Sequence, residues 1–391
     1  MTEYERNALL PAGLRDVLPH DAAFEAAIVE ILVAVFAARG YDRVKPPLIE
    51  FEDSLLAGAG IAVASQTFRL MDPVSQRMMG VRADITPQIA RIAKSRLAGT
   101  PRPLRLSYAG DVLRVRGSQL RPERQIVQVG AELIGAAAPA ADAEIITMAM
   151  EAIAATGVDG LTVDLTVPRL VPSLLERHGI DGDLALSIRE ALDRKDPDGV
   201  ASVAGPAAAM LTGLLSATGP VDEALAKMAA MDLPDTAAGE RDRVAEVVAL
   251  VRAMSPGIVL TLDPVENRGF EYHTGIGFTV FAAGHSGELA SGGRYRARDI
   301  DGSDKEGERA TGVTLYVDGI LALVTPGEEG RRVFIPYETD ISAAATLRDE
   351  GWVTVMALEA HTDNRAQAVA IGCSHLLGKA GPEPVQKGQK A

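Results

Sequence analysis

The sequence predicts an α+β protein, built on an antiparallel sheet flanked by helices, with a helical insertion and a small C-terminal α/β module. Three observations predict it. A long amphipathic helix runs into a series of strand-like segments rich in Val, Ile and Leu. The stretch from Pro168 to about Ser255 turns rich in Ala, Leu and acids at helical periodicity, and strand signals resume only at Ile258. After Thr325-Pro326 a short alternation of strand and helix begins. These changes divide the chain into 1–325, carrying an insertion at about 168–255, and 326–391.

The elements follow in order. Ala22 to Arg39 reads as the helix, because Phe24, Ile28, Ile31 and Val35 recur at helical spacing and Gly40 suits a C-terminal cap. "YDRVKPPLIEF" is extended, and Pro46 and Pro47 confine it to an edge strand or a strand end. "GAGIA" at Gly58 reads as a loop. Thr67–Met71 and Gln76–Arg82 flank a turn at Asp72-Pro73, a hairpin signal. Thr86-Pro87 opens a helix through Leu97, with Thr86 as N-cap and Pro87 in the first helical position. Leu104–Arg116 and Gln125–Ile134 read as two strands joined by an arginine-rich loop. Asp142–Ala155 is a helix and Leu161–Val167 a strand. Beyond the insertion, "GFEYHTGIGFTVFAA" and "GELASGGRYRAR" read as strands, and "ATGVTLYVDGILALV" as a strand passing into a helix with Asp318 as cap. The last module holds "RRVFIPYE", a helix near Ser342–Glu350, "WVTVMAL" and "AQAVAIG". Its tail, "GPEPVQKGQKA", reads as disordered.

Composition narrows the function. The net charge of −14 argues against broad nucleic-acid binding, which needs a surplus of Lys and Arg. One local exception runs from Arg91 to Arg124, where nine basic residues meet two acids; its plain reading is a solvated face. Cys373 is the only cysteine, so no disulfide forms within the chain and no multi-cysteine metal site exists, which fits a reducing cytoplasm. "MTEYERNALLPAG" does not read as a secretory signal, and no apolar run approaches ~20 residues, so no membrane partner is expected. There is no GxxxxGK[ST], HExxH or GxSxG, and no cofactor is expected.

The candidate chemistry lies in four short stretches. In "IVQVGAELIG", strand alternation puts Gln128, Gly130 and Glu132 on one side. That side is either solvated or a ligand face, with Gly130 leaving room for the ligand to approach the backbone. Asp84 and Thr86 in "VRADITPQ" are either a turn acid and a helix cap or, if they converge with Gln128 and Glu132, acceptors for an ammonium group. "ENRGFEYHTG" contributes Arg268, Tyr272 and His273, and "SGGRY" contributes paired glycines.

The order of these segments resembles the catalytic domain of class II aminoacyl-tRNA synthetases, the histidyl enzymes in particular, from about Leu10 to Val324. "GYDRVKPPLIE" is similar to motif 1, which forms the dimer interface in that family, and "VRADITPQ" to its Arg-Pro-Glu-Gly-Thr segment. "LRVRGSQLRPERQIVQVGAE" resembles motif 2, "NRGFEYHTG" and "SGGRY" resemble two segments particular to histidyl enzymes, and "TGVTLYVDG" stands at motif 3. The resemblance implies a class II synthetase-like sheet and a histidine site. In it Thr86, Gln128 and Glu132 hold the ammonium group, with Asp84 in place of a glutamate. Arg268 meets the carboxylate, Arg114 is the motif 2 arginine that meets a phosphate, Tyr272 lies near the imidazole, and His273 replaces a second tyrosine. The implied histidine-binding set is thus Asp84, Thr86, Arg114, Gln128, Glu132, Arg268, Tyr272 and His273, with no catalytic residue and no metal ligand.

The adenine side departs from the pattern. Arg116 stands where the family has a glutamate, Gly319 where it has a stacking arginine, and "RYDG" becomes "RYRA". This combination resembles the regulatory subunits of ATP phosphoribosyltransferase, histidyl-tRNA synthetase-like proteins that do not aminoacylate. The resemblance implies a short-form catalytic subunit as partner, in the first enzyme of histidine biosynthesis. It further implies histidine as allosteric ligand and a homodimer through the motif 1 region within a larger hetero-oligomer. No tRNA partner is expected, because the C-terminal module is smaller than the family's anticodon-binding domain. Two other readings stand beside this one: an atypical histidyl-tRNA synthetase or other amino-acid-activating enzyme, and a synthetase-like module for a different ligand.

Overall fold

Period-two alternation in the strands decides which residues face which helices. The computed structural model of the chain describes residues 9–117, 122–266, 273–297, 307–327 and 330–385. It contains two compact units, Met1–Thr325 and Pro326–Ala391.

In the first unit, α1 (Asp21–Ala38) ends where Gly40 takes a positive φ of 80°. β1 (Asp42–Arg43) follows and pairs parallel with β5 (Leu104–Leu113) at the sheet edge, where the prolines after it cost no ladder bond. β2 (Ile49–Phe51), β3 (Phe68–Met71) and β4 (Met78–Val81) form a separate three-stranded sheet, in which β3 and β4 make the expected hairpin. α2 (Thr86–Ser95) then leads into β5 and β6 (Gln125–Ile134), an antiparallel pair in unbroken register from Leu104↔Ile134 to Leu113↔Gln125.

α3 (Pro139–Ala155) and β7 (Leu161–Thr166) precede six α-helices and a short 3-10 turn between Leu170 and Met254, interrupted by β8 (Gly219–Pro220). β9 (Val259–Asp263), β10 (His273–Ala282), β11 (Ala290–Ala297), β12 (Glu308–Tyr316) and the short α4 (Val317–Leu321) complete the unit. Nine strands share one sheet in the order β1-β5-β6-β12-β11-β10-β7-β9-β8.

One face of this sheet carries the main core. Val129, Ala131 and Leu133 of β6 and Val313 and Leu315 of β12 pack with Ile28, Leu32 and Phe36 of α1 and Ile145, Ile146 and Ile153 of α3. The insertion adds Leu174, Leu192, Leu214, Val244 and Val251 to the same cluster, so its helices share the sheet's core instead of building their own. Each such side chain contributes roughly 1.5–3 kcal/mol on burial. The opposite face is covered by α2. There Ile89, Ala90 and Ala93 meet Leu106, Tyr108, Ile134, Tyr295, Ala310 and Tyr316.

The second unit is a four-stranded sheet in the order β14-β13-β15-β16. β13 (Arg332–Ile335) lies parallel to β14 (Val353–Met356) and β15 (His375–Gly378), with helices α5 (Ile341–Asp349) and α6 (Asn364–Ala370) between them in sequence. Val333 and Ile335 pack on one side of it and Phe334 on the other.

Several local expectations are corrected. "GAGIA" is not a plain loop but the start of a 3-10 helix, Gly58–Gln66. Bonds three residues apart, such as Gly60 N–H to Ala57 O at 3.0 Å, satisfy its backbone. Thr86 does not cap α2; Asp84 accepts from the Thr86 N–H at 2.9 Å instead, which leaves the Thr86 hydroxyl for other partners. Asp318 lies inside the first turn of α4, not at its cap. Part of the supposedly disordered tail is β16 (Gly381–Pro384), an edge strand antiparallel to β15. Its two prolines are tolerated because an edge needs donors on one side only. No helix among the described residues is long and apolar enough to cross a membrane.

β11 is fastened to α3 by a buried ion pair. Arg294 Nε donates to Asp142 Oδ1 at 2.9 Å, the Thr311 hydroxyl donates to the same oxygen at 2.8 Å, and the guanidinium also donates to the carbonyls of Ala136 and Ala138. Both charged side chains are 2% exposed. Removing Arg294 leaves buried Asp142 with only the longer ion pair to Arg243 at 3.7 Å, so Arg294→Ala is expected to cost up to about 3–5 kcal/mol in denaturant unfolding. The double variant Asp142→Leu/Arg294→Met is expected to recover most of that loss. A double variant no more stable than Arg294→Ala would show that the carbonyl contacts, not the ion pair, hold the strand.

Candidate functional site

The face beneath α2 holds a row of polar groups. Register aligns Gln128 with Tyr316, Gly130 with Thr314 and Glu132 with Gly312 on β12, while Tyr108 of β5 sits opposite Gly130. Tyr295 and Ser291 of β11 continue the same face, and His273 of β10 pairs with Tyr295. Among these, Gln128, Glu132, Thr314, Tyr295 and His273 are all buried. The solvated alternative for this side of β6 is therefore excluded.

Asp84, Thr86, Gln128 and Glu132 converge. Gln128 Nε2 donates to Asp84 Oδ2 at 2.9 Å, and Gln128 Oε1 accepts from the Ile85 N–H at 3.1 Å. Those two bonds fix the orientation of the amide. The Tyr295 hydroxyl donates to Glu132 Oε2 at 2.9 Å, and the Thr86 hydroxyl is close enough to lower the Glu132 pKa. Thr86 Oγ1 also lies 3.2 Å from the Tyr108 hydroxyl, which lies 2.8 Å from Thr314 Oγ1.

Burial pushes the Glu132 carboxyl up to about 8; the bonds from Tyr295 and Thr86 oppose that shift, and the nearby Asp84 charge adds to it. At neutral pH the free site therefore holds Glu132 mostly protonated, beside an acidic neighbour, in a setting that favours an incoming cation. His273 is pushed down to about 3 by burial, so it is a neutral imidazole throughout the physiological range. The Tyr316 phenol, pushed up to about 12 chiefly by burial, shares a hydrogen with Ser291 Oγ at 2.9 Å.

Two glycines on this face have different tasks. Sequence alternation gives Gly130 a role in leaving room for a ligand. The structure fills that room: a Cβ at 130 would overlap the Tyr108 hydroxyl. Gly312 is what admits the carboxylate, because a Cβ there would overlap Glu132 Oε2. Tyr108, Tyr295, Ser291, Gly312, Thr314 and Tyr316 are thus site residues that single-strand reading missed. Only the pairing register reveals them.

Arg114 follows β5 and bridges to Thr67, and its charge is near enough to lower the Tyr316 pKa. Its Nε is buried and makes no hydrogen bond among the described residues. Arg116 is exposed. Arg124 is half-buried and largely engaged within the chain: it donates to the carbonyls of Arg114 (3.2 Å) and Ala12 (3.1 Å) and lies 4.9 Å from the Phe68 ring centroid. Gly319 is buried on α4, and a Cβ there would lie 3.0 Å from Leu289 Cδ2, so a side chain at this position requires Leu289 to give slightly. Arg121, Arg268 and Tyr272 lie outside the described residues.

Residues 13–320 match the family described as histidyl-tRNA synthetase. The chain is 54% identical to the ATP phosphoribosyltransferase regulatory subunit of Paramagnetospirillum magneticum, over 97% of this chain and 99% of the relative. It is 42% identical to the same-named protein of Gluconobacter oxydans, over 97% of each. Among solved structures it is similar to an ATP phosphoribosyltransferase regulatory subunit/histidyl-tRNA synthetase from Bacillus halodurans, with TM-score 0.80, 24% identity, and 92% and 96% of the two chains covered. It is also similar in fold to the histidyl-tRNA synthetase of Nostoc sp., with TM-score 0.77, 18% identity, and 95% and 91% covered.

The contact between Glu132 and Gly312 yields a test. Gly312→Ala is expected to destabilise the fold by roughly 2–4 kcal/mol, because the methyl and the carboxylate claim one volume. In a Glu132→Ala background the same substitution is expected to cost well under half as much. Additive losses in thermal unfolding would assign the effect of Gly312 to something other than Glu132.

Proposed function

The chain belongs to the ATP phosphoribosyltransferase regulatory subunits, within the histidyl-tRNA synthetase family, and from that membership we propose that its sheet face is a histidine sensor without aminoacylation chemistry. The regulated enzyme catalyses the first step of histidine biosynthesis. One observation carries the sensor reading: half-buried Asp84 and Thr86 meet buried Gln128 and Glu132 in an acceptor-rich cluster suited to a cation.

An α-ammonium group supplies that cation. Its arrival ionises Glu132, and the Thr86 and Gln128 oxygens complete its hydrogen bonds. Arg268, by resemblance, takes the ligand carboxylate, and Arg114 offers a second cation for it. Tyr272 and His273 belong on the imidazole side; a neutral His273 can donate from one ring nitrogen and accept at the other. The adenine side gives no matching support. Arg116 is exposed, and Gly319 offers no side chain to stack on an adenine ring.

Regulation then works by linkage. Histidine shifts the complex toward whichever arrangement binds it better, by no more than its difference in affinity for the two. The partner is the short-form catalytic subunit, the motif 1 region pairs two copies of this chain, and tRNA is not a ligand. Isothermal titration of the chain, alone and with its catalytic subunit, tests the reading: absence of histidine binding at a Kd of order 1 mM in both preparations sinks it. Histidine-dependent exchange of pyrophosphate into ATP is expected to be absent, and its detection would restore an aminoacylating enzyme.

Glu132→Gln keeps the shape and removes the charge. It is expected to weaken histidine binding at least tenfold, about 1.4 kcal/mol or more, while the complex with the catalytic subunit still assembles.

The pH dependence has a definite sign. Because the Glu132 pKa is raised in the free fold, its proton must leave when the ammonium binds. Wild-type affinity is expected to climb from pH 6 to 8, by up to about tenfold per unit, with nearly one proton released near pH 7 and fewer above pH 8. Glu132→Gln is expected to show neither trend. The same raised pKa makes Glu132 destabilise the free fold progressively as pH rises from its ordinary value to about 8, after which the loss levels off, so Glu132→Gln is expected to melt higher than wild type at pH 9.

A further inference from the structure

We propose that Tyr108 and Thr314 are positioning residues, a hydrogen-bond relay that aims the Thr86 hydroxyl at Glu132. The relay deepens the sensor reading above and rests on it for its functional consequence. Three strands and a helix start contribute to it: Thr314 from β12, Tyr108 from β5, Thr86 at the head of α2 and Glu132 from β6.

The direction of the hydrogens follows from counting donors. The Thr86 N–H is engaged by Asp84 Oδ1 at 2.9 Å, so it does not constrain the hydroxyl. A hydroxyl has one hydrogen. If Thr86 directs its hydrogen at the Glu132 carboxylate, its oxygen must accept from Tyr108, 3.2 Å away. Tyr108 has then spent its hydrogen, and its oxygen accepts from Thr314 at 2.8 Å. The order is Thr314 to Tyr108 to Thr86 to Glu132, and each bond polarises the next. Without Tyr108, the Thr86 hydroxyl is free to turn from Glu132.

The fold has made space for this relay. Tyr108 is fully buried, and its phenol end occupies the volume that any side chain at Gly130 would take. The wedge fixes the hydroxyl between β12 and α2. Among the described residues, the charged and titratable groups around Glu132 are Asp84 before α2, Tyr108 on β5 and Tyr295 on β11, with His273 on β10 paired to Tyr295. Tyr295 serves Glu132 directly and independently of the relay, which makes it the natural control.

The test reads Glu132 itself. The infrared band of its protonated carboxyl, assigned by its loss in Glu132→Gln, is followed against pH in the full-length free chain. Tyr108→Phe is expected to move the midpoint of that band up by about half a unit or more, because a donor to the carboxylate is lost. Thr314→Val is expected to move it the same way by less, and Thr314→Ser not at all. The double variant Tyr108→Phe/Thr314→Val is expected to match Tyr108→Phe alone, since a broken chain cannot be broken twice. Unchanged midpoints, or shifts that add in the double variant, overturn the relay whatever the ligand proves to be. Histidine titration is the separate arm. Tyr108→Phe is expected to bind about tenfold more weakly than wild type. Shifted midpoints in a chain that never binds histidine would leave the relay standing and sink the sensor.

Discussion

The site depends on one constraint, a carboxylate set in the middle of a buried sheet face. Glu132 occupies a position where the neighbouring strands place Leu106 and Gly312, and burial raises its pKa far above the carboxylate range. Left unserved, such a group costs several kcal/mol as an anion. The fold answers in three ways. Gly312 yields its volume, Tyr295 and Thr86 offer hydrogens, and the proton stays on Glu132 until something cationic arrives. The first is a matter of register, the second of side chains on other strands, and the third of pH. All three depend on the β5–β6–β12–β11 pairing being held in place, which gives the Asp142–Arg294–Thr311 cluster on the reverse face its importance.

Much of this was legible in the sequence. Period two alone puts Gln128, Gly130 and Glu132 on one side of a strand, and the extents of β5, β6 and α3 follow from apolar patterning to within a few residues. What one strand cannot tell is which face its neighbours cover. Gly130 looked like room for a ligand because the residue opposite it was unknown; once Tyr108 is placed there, the room is gone. Thr86 looked like a cap because Thr before a proline at a helix start commonly is one. Asp84, two residues earlier, took the backbone bond, and the hydroxyl was released to the site. In each case local chemistry was read correctly and a long-range partner reassigned it.

The arginine-rich loop shows the same limit. By charge alone its arginines form a solvated or partner-facing group. Arg124 is instead spent on two backbone carbonyls and an aromatic ring, fastening the segment at Ala12–Gly13 to Arg114 just beyond β5. A guanidinium with five fixed donors is well suited to such carbonyl clamping, and a charge count is blind to it. The neighbouring position behaves differently: Arg116, two residues beyond Arg114, is exposed. The basic run therefore contains at least two populations, one structural and one solvent-facing, and its net charge describes neither.

The two halves of the synthetase-like face have diverged for a physical reason. Adenylation needs the amino acid and the nucleotide held together, with the phosphates neutralised by placed cations. Sensing needs the amino acid alone, and it benefits when binding changes a charge state. On the proposed reading, the amino-acid half keeps its buried acid, at the expense of stability in the free chain, while the adenine half has Gly319 in place of a stacking side chain. A buried acid that is protonated when empty and ionised when filled converts a small ligand into a local change of charge. Hydrogen-bonded strands and tight glycine contacts surround it, so the change cannot be absorbed by water. It has to be taken up by the side chains that touch it: Tyr295 on β11, and Thr86 at the start of the helix that covers the face. In the proposed sensor, signal leaves this site by a strand and a helix, the elements through which a bound amino acid would bias a partner subunit.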